Sequence, residues 1–264
     1  MEKEVILRVE ELTKVFGSKK SSVVAVDNVS FAIEKGKIVS LVGQSGSGKT
    51  TIARMLLRLI RPTSGCIFYK NRQIFKLKEK ETIDYWKHIQ GIFQDPFSSF
   101  NQFYKVSRVL NNTFKLFKNP PGGKEQRKMI ESAVQTVGLN PDEILNKYPY
   151  ELSGGQRQRI IIARILLINP EVLIADEPTS MIDASSRAGI LNLFLSLRDR
   201  YKMSIIFITH DMGLAYYASD ILLIMNKGKI VERGEAEKVI TNPKNPYTQR
   251  LLSDVPLIHK KWEF

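Results

Sequence analysis

The sequence predicts an α/β fold: a parallel sheet covered by helices, with an antiparallel region before it and a helical insertion within it. Three observations support this prediction. Short apolar runs alternate with helical stretches from residue 157 to residue 209, which is typical of parallel sheets. Earlier, Val5 to Leu12 alternates apolar and charged residues like a half-exposed strand. Between residues 97 and 150 the strand signals fade and helical patterns replace them.

The first part of the chain predicts an antiparallel pair of strands. Val5 to Leu12 is the first strand and Val23 to Ile33 the second, and a turn then leads into the apolar run Ile38 to Val42. Phe16 lies upstream of that run. Two interpretations are open for its ring, which either stacks on an adenine base or packs in the core.

A glycine-rich segment follows the apolar run and organises the rest of the chain. Gly43, four further residues and then Gly48-Lys49-Thr50 fit the pattern G-x-x-x-x-G-K-[ST], in which backbone N–H groups surround phosphate oxygens before a helix. We expect that helix over Ile52 to Leu59. The Lys49 ammonium would reach the β- and γ-phosphates, and the Thr50 hydroxyl would bind Mg²⁺. The residues predicted to bind the nucleotide here are Gly43, Gln44, Ser45, Gly46, Ser47, Gly48, Lys49, Thr50 and Thr51; residues 43–48 are termed the phosphate loop below.

A second apolar strand, Val172 to Ala175, leads into two acidic residues. Asp176 stands at the C-terminal end of this strand, where open α/β sheets bind ligands, so we expect it to hold Mg²⁺. Glu177 comes next and would orient or deprotonate the water that attacks the γ-phosphate. Gln94, at the end of another short strand, is a further candidate for Mg²⁺ or water through its amide oxygen. For both acids, capping of the turn before Pro178 is the structural alternative.

His210 follows the next apolar strand, Ile205 to Thr209. One interpretation is a structural histidine, which is the common role of a single imidazole. The other is a catalytic group that senses the γ-phosphate, because the ends of neighbouring parallel strands lie on the same rim of a sheet. His210 is therefore a catalytic candidate beside Glu177.

Residues 152–156 read Leu-Ser-Gly-Gly-Gln and precede a helical pattern. Ser153 and the free backbone amides of Gly154 and Gly155 form a second anion site at the start of that helix. These five residues match the signature of ATP-binding cassette (ABC) proteins. The chain resembles that family from about residue 5 to residue 239, with all of its motifs in order.

The resemblance implies an ABC ATPase cassette over residues 1–240, with a RecA-like P-loop core, an antiparallel β lobe and an inserted helical subdomain at about 95–153. It also implies that two cassettes sandwich two ATP molecules head to tail with Mg²⁺, so that Ser153 and Gly155 act on the nucleotide of the partner cassette. ATP then holds the dimer together, and hydrolysis at Glu177 releases it. The signature residues expected to contact nucleotide are Ser153, Gly154, Gly155 and Gln156.

Three segments further resemble the oligopeptide/dipeptide importer branch of this family: residues 94–99, residues 148–151 and the C-terminal tail 241–264, where Asn245 replaces the usual histidine. The resemblance implies an ATPase subunit that energises import of peptides or related solutes from the cytoplasmic face of the membrane. Its partners would be a second ATPase chain, two permease subunits and, indirectly, an external solute-binding protein. Because Cys66 is the only cysteine, the chain resembles the subunit type without an iron–sulfur centre.

Composition limits the other function classes. The net charge of +13 is compatible with a nucleic-acid or anionic-membrane partner, but the lysines are interspersed with acids and no nucleic-acid-binding motif accompanies them, so no nucleic-acid partner is expected. One cysteine excludes an internal disulfide or a cysteine-ligated zinc site. The N-terminus suggests no signal peptide, and no apolar run has the length of a membrane span, so any membrane role is expected to be peripheral.

Three rival functions are open from the sequence. A soluble cassette that acts on ribosomes or DNA would suit the positive charge, but the chain has neither a second cassette nor a long coiled-coil insertion. A small-molecule kinase would share the phosphate loop and leave the signature and Glu177 unexplained. An exporter is a further possibility, although exporters often fuse the membrane part. The tail itself contains three prolines, at residues 243, 246 and 256, and is expected to lie on the surface.

Overall fold

The computed structural model describes residues 4–18, 21–95 and 100–253. The chain folds into two compact units, of which the first contains residues 1–75 and 207–264 and the second contains residues 76–206. Helices, antiparallel strands and parallel strands are all present, so the prediction of an α/β fold is confirmed. The predicted limits of the cassette, its helical subdomain and the tail stay predictions.

The first unit opens with an antiparallel sheet. Its strands are β1 (Val5–Ser18), β2 (Ser21–Glu34), β4 (Ser64–Tyr69) and β5 (Arg72–Gln73), in the order β2-β1-β4-β5. The β1–β2 hairpin extends further than predicted, to the pair Ser18 and Ser21. The outer part of the hairpin is exposed and is held by backbone pairing rather than by burial. It therefore has no alternating apolar pattern from which the sequence could predict it.

A second group of strands in the first unit carries the phosphate loop. Strand β3 (Ile38–Val42) is parallel to β9 (Ile221–Asn226), and β9 pairs antiparallel with β10 (Lys229–Glu235). Every residue of β3 is buried, which explains its largely apolar sequence. The helices of this unit among the described residues are α1 (Lys49–Leu56), α8 (Met212–Ala218), α9 (Ala236–Thr241) and α10 (Pro246–Ser253).

The tail does not simply lie on the surface as predicted. Residues 246–253 form α10, with proline in its first position, where it suits a helix. Leu251 of α10 is buried in a cluster that also contains Val42 of β3 and Met212 of α8. The prediction is therefore wrong for α10, because every third or fourth residue of the helix is apolar or buried and faces this cluster. The residues after 253 lie outside the described part of the chain.

The second unit contains the predicted helical insertion. Its helices are α2 (Glu79–His88), α3 (Val106–Asn111), α4 (Gly123–Thr136), α5 (Pro141–Ile144), α6 (Gly154–Ile168) and α7 (Ala184–Tyr201). Two parallel strands, β6 (Ile89–Ile92) and β7 (Val172–Asp176), pair with each other. Strand β8 (Ser204–Thr209) is fully buried and carries the chain from the second unit back into the first.

Within this unit the helical segment before α6 has its own apolar contacts. Helix α4 packs against α6 and presents Ile130 and Val134 to the interior. The predicted helix over Val106 to Leu116 is divided into α3 and a 3₁₀ turn, Asn112–Leu116. Among the helices of the described residues, none is both long and apolar enough to cross a lipid bilayer.

Candidate phosphate-binding site

The phosphate loop joins the buried strand β3 to helix α1. Helix α1 begins at Lys49, three residues before the predicted start at Ile52, and it ends at Leu56. The early start is due to Gly48, whose left-handed backbone (φ 104°) ends the loop as the N-cap and whose carbonyl accepts from the Ile52 amide at 3.1 Å. Lys49, Thr50 and Thr51 therefore form the first helical turn, where backbone amides lack helical acceptors and suit an anion.

Two glycines of the loop are required by close backbone approach. A Cβ atom on Gly43 would lie 2.2 Å from the carbonyl oxygen of Met225 in β9. A Cβ atom on Gly48 would lie 2.3 Å from the carbonyl oxygen of Ala25 in β2. Both distances are far below van der Waals contact, so neighbouring strands fix the loop from two sides and exclude any side chain there.

Lys49 places a buried positive charge against the loop. Its Nζ atom donates to the carbonyl oxygens of Gly43 at 2.7 Å and Gln44 at 3.0 Å, and it lies 3.4 Å from the Ser47 hydroxyl. The residue is only 5% exposed. An ammonium held in this way, beside the start of α1, favours the binding of an anion such as phosphate.

The opposite side of the loop is open to solvent. Gln44, Ser45 and Gly46 are exposed, whereas Ser47 and Gly48 are buried. Thr50 is also exposed, with its hydroxyl in the first turn of α1. A ligand therefore has access to the loop amides and to the Thr50 hydroxyl from one side.

Two contacts to this loop come from segments that the sequence did not connect with it. The Gly228 amide, in the β9–β10 turn, donates to the Ser47 carbonyl at 3.1 Å. The Gln44 amide donates to the Tyr247 hydroxyl of α10 at 3.1 Å. Both partners are about 200 residues away along the chain, so no local pattern could have revealed them.

Phe16 and His210 also belong to the first unit. Phe16 lies near the end of β1 and is 43% exposed, and the Lys14 ammonium lies 5.0 Å from its ring centroid. This exposure is compatible with a stacking surface, and its contact with adenine stays a prediction. His210 is exposed directly after β8, and Asp211 beside it caps α8 by accepting from the Leu214 amide at 3.0 Å.

The predicted acids lie at the end of β7 in the second unit. Asp176 is the last residue of this strand and is 3% exposed. Strands β6 and β7 are parallel, with Ile92 beside Ala175, so Gln94 and Glu177 each lie two residues beyond this pair. The structure therefore brings Gln94, Asp176 and Glu177 to one edge of this strand pair, where their oxygen atoms suit Mg²⁺.

Glu177 has an unusual backbone that the sequence did not reveal. Its φ angle is 47°, in the left-handed region that few non-glycine residues adopt. Its carbonyl oxygen accepts from both the amide (3.2 Å) and the hydroxyl (2.9 Å) of Ser180. A single polar side chain three residues further along thus stabilises the turn that presents Glu177.

The signature residues start helix α6 of the second unit. The Ser153 hydroxyl accepts from the Gln156 amide at 3.2 Å, and the Gln156 side chain accepts from the Ser153 amide at 3.0 Å, which is a capping box. The helix therefore begins at Gly154 rather than at Arg157. Ser153 is exposed and Gln156 half-buried. The anion site predicted here has a local basis, while its contact with nucleotide stays a prediction.

The two signature glycines pack against the segment that follows Glu177. A Cβ atom on Gly154 would lie 3.1 Å from the Met181 carbonyl oxygen, and one on Gly155 would lie 3.4 Å from the Ser186 side chain. In that segment Asp183 caps α7 by accepting from the Ser186 amide at 3.1 Å. Hydrogen bonds from Ser185 and Ser186 lower the pKa of the Asp183 carboxyl.

The predicted site residues are divided between the two units. The phosphate loop, Phe16 and His210 belong to the first unit. Gln94, the acids after β7 and the signature belong to the second. Within each unit the geometry fits the predicted chemistry: a cationic phosphate cradle in the first, and oxygen donors for a hard metal ion in the second.

The fold and the phosphate loop together define a P-loop nucleotide-binding protein. The family model described as ABC transporter matches residues 26–180, more than half of the chain. A second model, described as the C-terminal region of oligopeptide/dipeptide transporters, matches residues 231–264. The chain therefore belongs to the ABC transporter family, and the resemblance stated from its motifs is confirmed.

Individual relatives agree with this assignment over nearly the whole chain. The oligopeptide transport ATP-binding protein OppF of Streptococcus pyogenes is 43% identical over 258 residues, which cover 96% of this chain and 83% of that protein. The dipeptide transport ATP-binding protein DppF of Haemophilus influenzae is 38% identical, covering 90% of this chain and 72% of that protein. None of these names refers to ribosomes or DNA, so the rival function on those partners is not favoured.

Solved structures agree with the fold. A dimeric ATP-binding cassette, MJ0796, in a post-hydrolysis state with ADP and phosphate, matches with a TM-score of 0.79 and 26% identity over 88% of this chain and 99% of that chain. A further match with the same TM-score and identity is a cassette from Clostridium perfringens, cbiO1, which is part of an ABC transporter complex. The prediction of an ABC cassette fold is confirmed.

Proposed function

We propose that this chain is the ATP-binding and ATP-hydrolysing subunit of an ABC importer for peptides or related solutes. The observation that carries the proposal is the phosphate loop, with its buried Lys49 and glycines at the start of α1. The names of the relatives support peptides as the class of solute. Which solute is chosen depends on other components of the transporter.

The phosphate loop amides and the Lys49 ammonium bind the β- and γ-phosphate oxygens of ATP. Thr50, Asp176 and Gln94 supply hydroxyl, carboxylate and amide oxygens for Mg²⁺. When bound there, Mg²⁺ neutralises negative charge on the phosphate oxygens. In this proposal Phe16 supports the adenine ring by stacking on it.

Glu177 and His210 act on the γ-phosphate end. The Glu177 carboxylate accepts a proton from water as the water oxygen forms a bond to the γ-phosphorus. The bond from that phosphorus to the β–γ bridging oxygen breaks, and ADP and inorganic phosphate are the products. His210 orients the γ-phosphate by a hydrogen bond.

A second cassette completes the site. Ser153, Gly154, Gly155 and Gln156 of one cassette approach the γ-phosphate held by the other, because the amides at the start of α6 favour an anion. The similarity to a dimeric cassette supports this arrangement. The second cassette is either another copy of this chain or a different ATPase subunit.

Two permease subunits would anchor the ATPase at the cytoplasmic face of the membrane as a peripheral protein. In this proposal a face around Gln94, Asp95, Pro96, Phe97 and Phe100 receives a cytoplasmic helix of the permease; of these residues, Pro96 and Phe97 lie outside the described part of the chain. Gln94 is exposed, whereas Phe100 is only 6% exposed. Phe100 therefore supports this face from within.

The proposal predicts nucleotide-dependent dimerisation of the Glu177→Gln variant. The amide keeps the shape of the side chain but accepts no proton, so ATP stays bound and uncleaved. We expect the mass in solution to double with Mg-ATP and to fall back without it. Light scattering after size-exclusion chromatography measures this mass.

Lys49→Ala in the same background is the control, because it removes the charge that binds phosphate. It is expected to stay monomeric with Mg-ATP. If Glu177→Gln binds ATP and stays monomeric, the second cassette is a different chain. If the protein with Lys49 binds no ATP at all, the proposed function is wrong.

A further inference from the structure

Helix α10 contacts the phosphate loop through a hydrogen bond of Tyr247. The Tyr247 hydroxyl accepts from the backbone N–H of Gln44, with an oxygen–nitrogen distance of 3.1 Å. Gln44 is the second residue of the loop and is exposed. The hydrogen bond therefore links the C-terminal tail to the exposed part of the loop. We propose that Tyr247 is a positioning residue, through which docking of α10 and nucleotide binding at the phosphate loop favour each other.

The start of α10 is itself held firmly on β10. The Glu232 carboxylate accepts from the Lys244 amide at 2.7 Å and from the Asn245 amide at 3.1 Å. The Asn245 side chain then makes two further bonds, accepting from the Tyr247 amide at 2.9 Å and donating to the Val231 carbonyl at 3.3 Å. Four hydrogen bonds thus fix the first turn of α10, and with it the backbone of Tyr247.

The apolar side of α10 is held by the core that also contains the strand before the loop. Leu251 is buried in the same cluster as Val42, and Tyr247 and Leu252 pack against that cluster. Val42 immediately precedes Gly43, and Gln44 immediately follows it. The tail therefore acts on both sides of Gly43, by packing before it and by a hydrogen bond after it.

This contact has a consequence for nucleotide affinity. A loop that must be ordered when phosphate binds loses conformational entropy at that moment, whereas a loop that is already fixed loses less. The remaining sides of the loop are fixed by Met225, Ala25 and Gly228. At the exposed residue Gln44, Tyr247 holds the backbone N–H, beside the Lys49 ammonium that holds the carbonyl of the same residue.

The role of Tyr247 rests on the proposed function, since it presumes that the loop binds nucleotide. It adds a role for the C-terminal helix α10, which the proposed function does not use. Helix α10 lies outside the stretch matched by the ABC transporter model and inside the stretch matched by the C-terminal model. We infer that this C-terminal region contributes to nucleotide binding as well as to the stability of the first unit.

The first experiment compares Mg-ADP affinity in the full-length protein and its Tyr247→Phe variant by isothermal titration calorimetry. The phenylalanine keeps the ring in the core and removes only the hydroxyl acceptor. One neutral hydrogen bond corresponds to a loss of affinity of about three- to tenfold. The matched control is Tyr216→Phe, which removes the same hydroxyl from a ring that is 47% exposed on α8, and its affinity is expected to be unchanged.

The second experiment measures the coupling in the opposite direction. Because coupling between two sites is reciprocal, Mg-ADP should slow amide hydrogen exchange in residues 246–253 of the unaltered protein. This protection should be absent in Tyr247→Phe. Asn245→Ala, which removes the cap of α10, is expected to weaken Mg-ADP binding in the same direction.

The outcomes distinguish this inference from the proposed function. If the unaltered protein does not bind Mg-ADP, the proposed function fails. If it binds and Tyr247→Phe binds equally well, with the same protection of α10, the positioning role is wrong and the function stands. A lower melting temperature without nucleotide, combined with unchanged affinity, would show that Tyr247 acts only on stability and would also overturn the inference.

Discussion

At the scale of single residues, Glu177 is the proposed proton acceptor and also has a strained backbone, with a φ angle of 47°. A non-glycine residue with positive φ costs about 1–3 kcal/mol and persists only where its surroundings hold it. The two hydrogen bonds from Ser180 to the Glu177 carbonyl provide that restraint. Since they act on the backbone, the Glu177→Gln substitution leaves the turn intact and tests the carboxylate alone.

Asn245 replaces the histidine that is usual in the importer branch, and it can keep the hydrogen bonds at the start of α10. Its carbonyl oxygen accepts from the Tyr247 amide while its amide group donates to the Val231 carbonyl. A neutral imidazole also offers one acceptor and one donor. Asparagine therefore provides both kinds of bond that a histidine offers at this position.

The two loop glycines with positive φ allow a prediction for individual residues. Gly48→Ala is expected to lower the free energy of unfolding by about 2–5 kcal/mol, because the clash with the Ala25 carbonyl, about 1–3 kcal/mol, adds to a backbone penalty of about 1–2 kcal/mol. Gly46→Ala is the matched control. The φ angle of Gly46 is 78°, and an added Cβ meets no atom within 4 Å. Gly46→Ala is therefore expected to lower the free energy of unfolding only by the backbone penalty of about 1–2 kcal/mol.

Denaturant unfolding of both variants measures the difference. Equal losses for Gly46→Ala and Gly48→Ala would show that strand β2 does not restrict the loop in solution.

At the scale of secondary-structure elements, the joint between β10 and α10 depends on one carboxylate. Burial acts to raise the pKa of Glu232, but hydrogen bonds from the Lys244 and Asn245 amides, with the charge of Lys244, lower it below its usual value of 4.5. The folded state thus favours the ionised carboxylate. The β10–α10 joint contributes its full stability only while Glu232 is charged.

The pH dependence of stability tests this joint. Because the folded pKa is lowered, the contribution of Glu232 is present above about pH 4.5 and is lost as the pH falls through the folded value. We expect Glu232→Gln to be less stable than the unaltered protein at pH 7 by about 1 kcal/mol, and the difference to shrink as the pH falls below about 4.5. Thermal unfolding at a series of pH values gives this difference.

Glu237→Gln serves as the control because Glu237 is exposed on α9. It should leave the pH profile unchanged. A difference between Glu232→Gln and the unaltered protein that is constant at all pH values would contradict the assigned role.

At the scale of the whole molecule, a core cluster of the first unit is formed by residues from distant parts of the chain. Its core cluster contains Val42 near the start of the chain and Leu251 near its end. The C-terminal segment is therefore part of this core as far as residue 253. We therefore expect removal of that segment to destabilise the unit that contains the phosphate loop.

The predicted effect of Leu251→Ala follows from this packing. Leu251 is 8% exposed, and truncation of a buried leucine costs about 2–5 kcal/mol. We expect a loss near the lower end, because the site is close to the surface. Leu59→Ala is the control, since Leu59 is 55% exposed, and its loss should stay below about 0.5 kcal/mol. Equal losses in urea unfolding would show that α10 is not docked in solution.

The sequence by itself determined the class of fold and predicted the chemistry of the site. The spacing of Gly43, Gly48 and Lys49, the acids after an apolar strand and the signature before a helix are local patterns, and local backbone geometry acts on neighbours along the chain. The two helices that follow these loops were predicted to start three residues too late. Their caps at Gly48 and Ser153 depend on atomic geometry rather than on apolar periodicity, so periodicity alone does not mark the first turn.

Only the tertiary structure decided which distant residues hold these motifs in place. The carbonyls of Ala25 and Met225 that exclude side chains from the loop, the burial of Leu251 and the bond from Gln44 to Tyr247 join segments that are far apart in sequence. Such contacts form when strands and helices pack, and backbone carbonyls or one tyrosine hydroxyl leave no periodic signal. A pattern along the chain therefore predicts what the loop binds, and the packing of the chain decides what supports it.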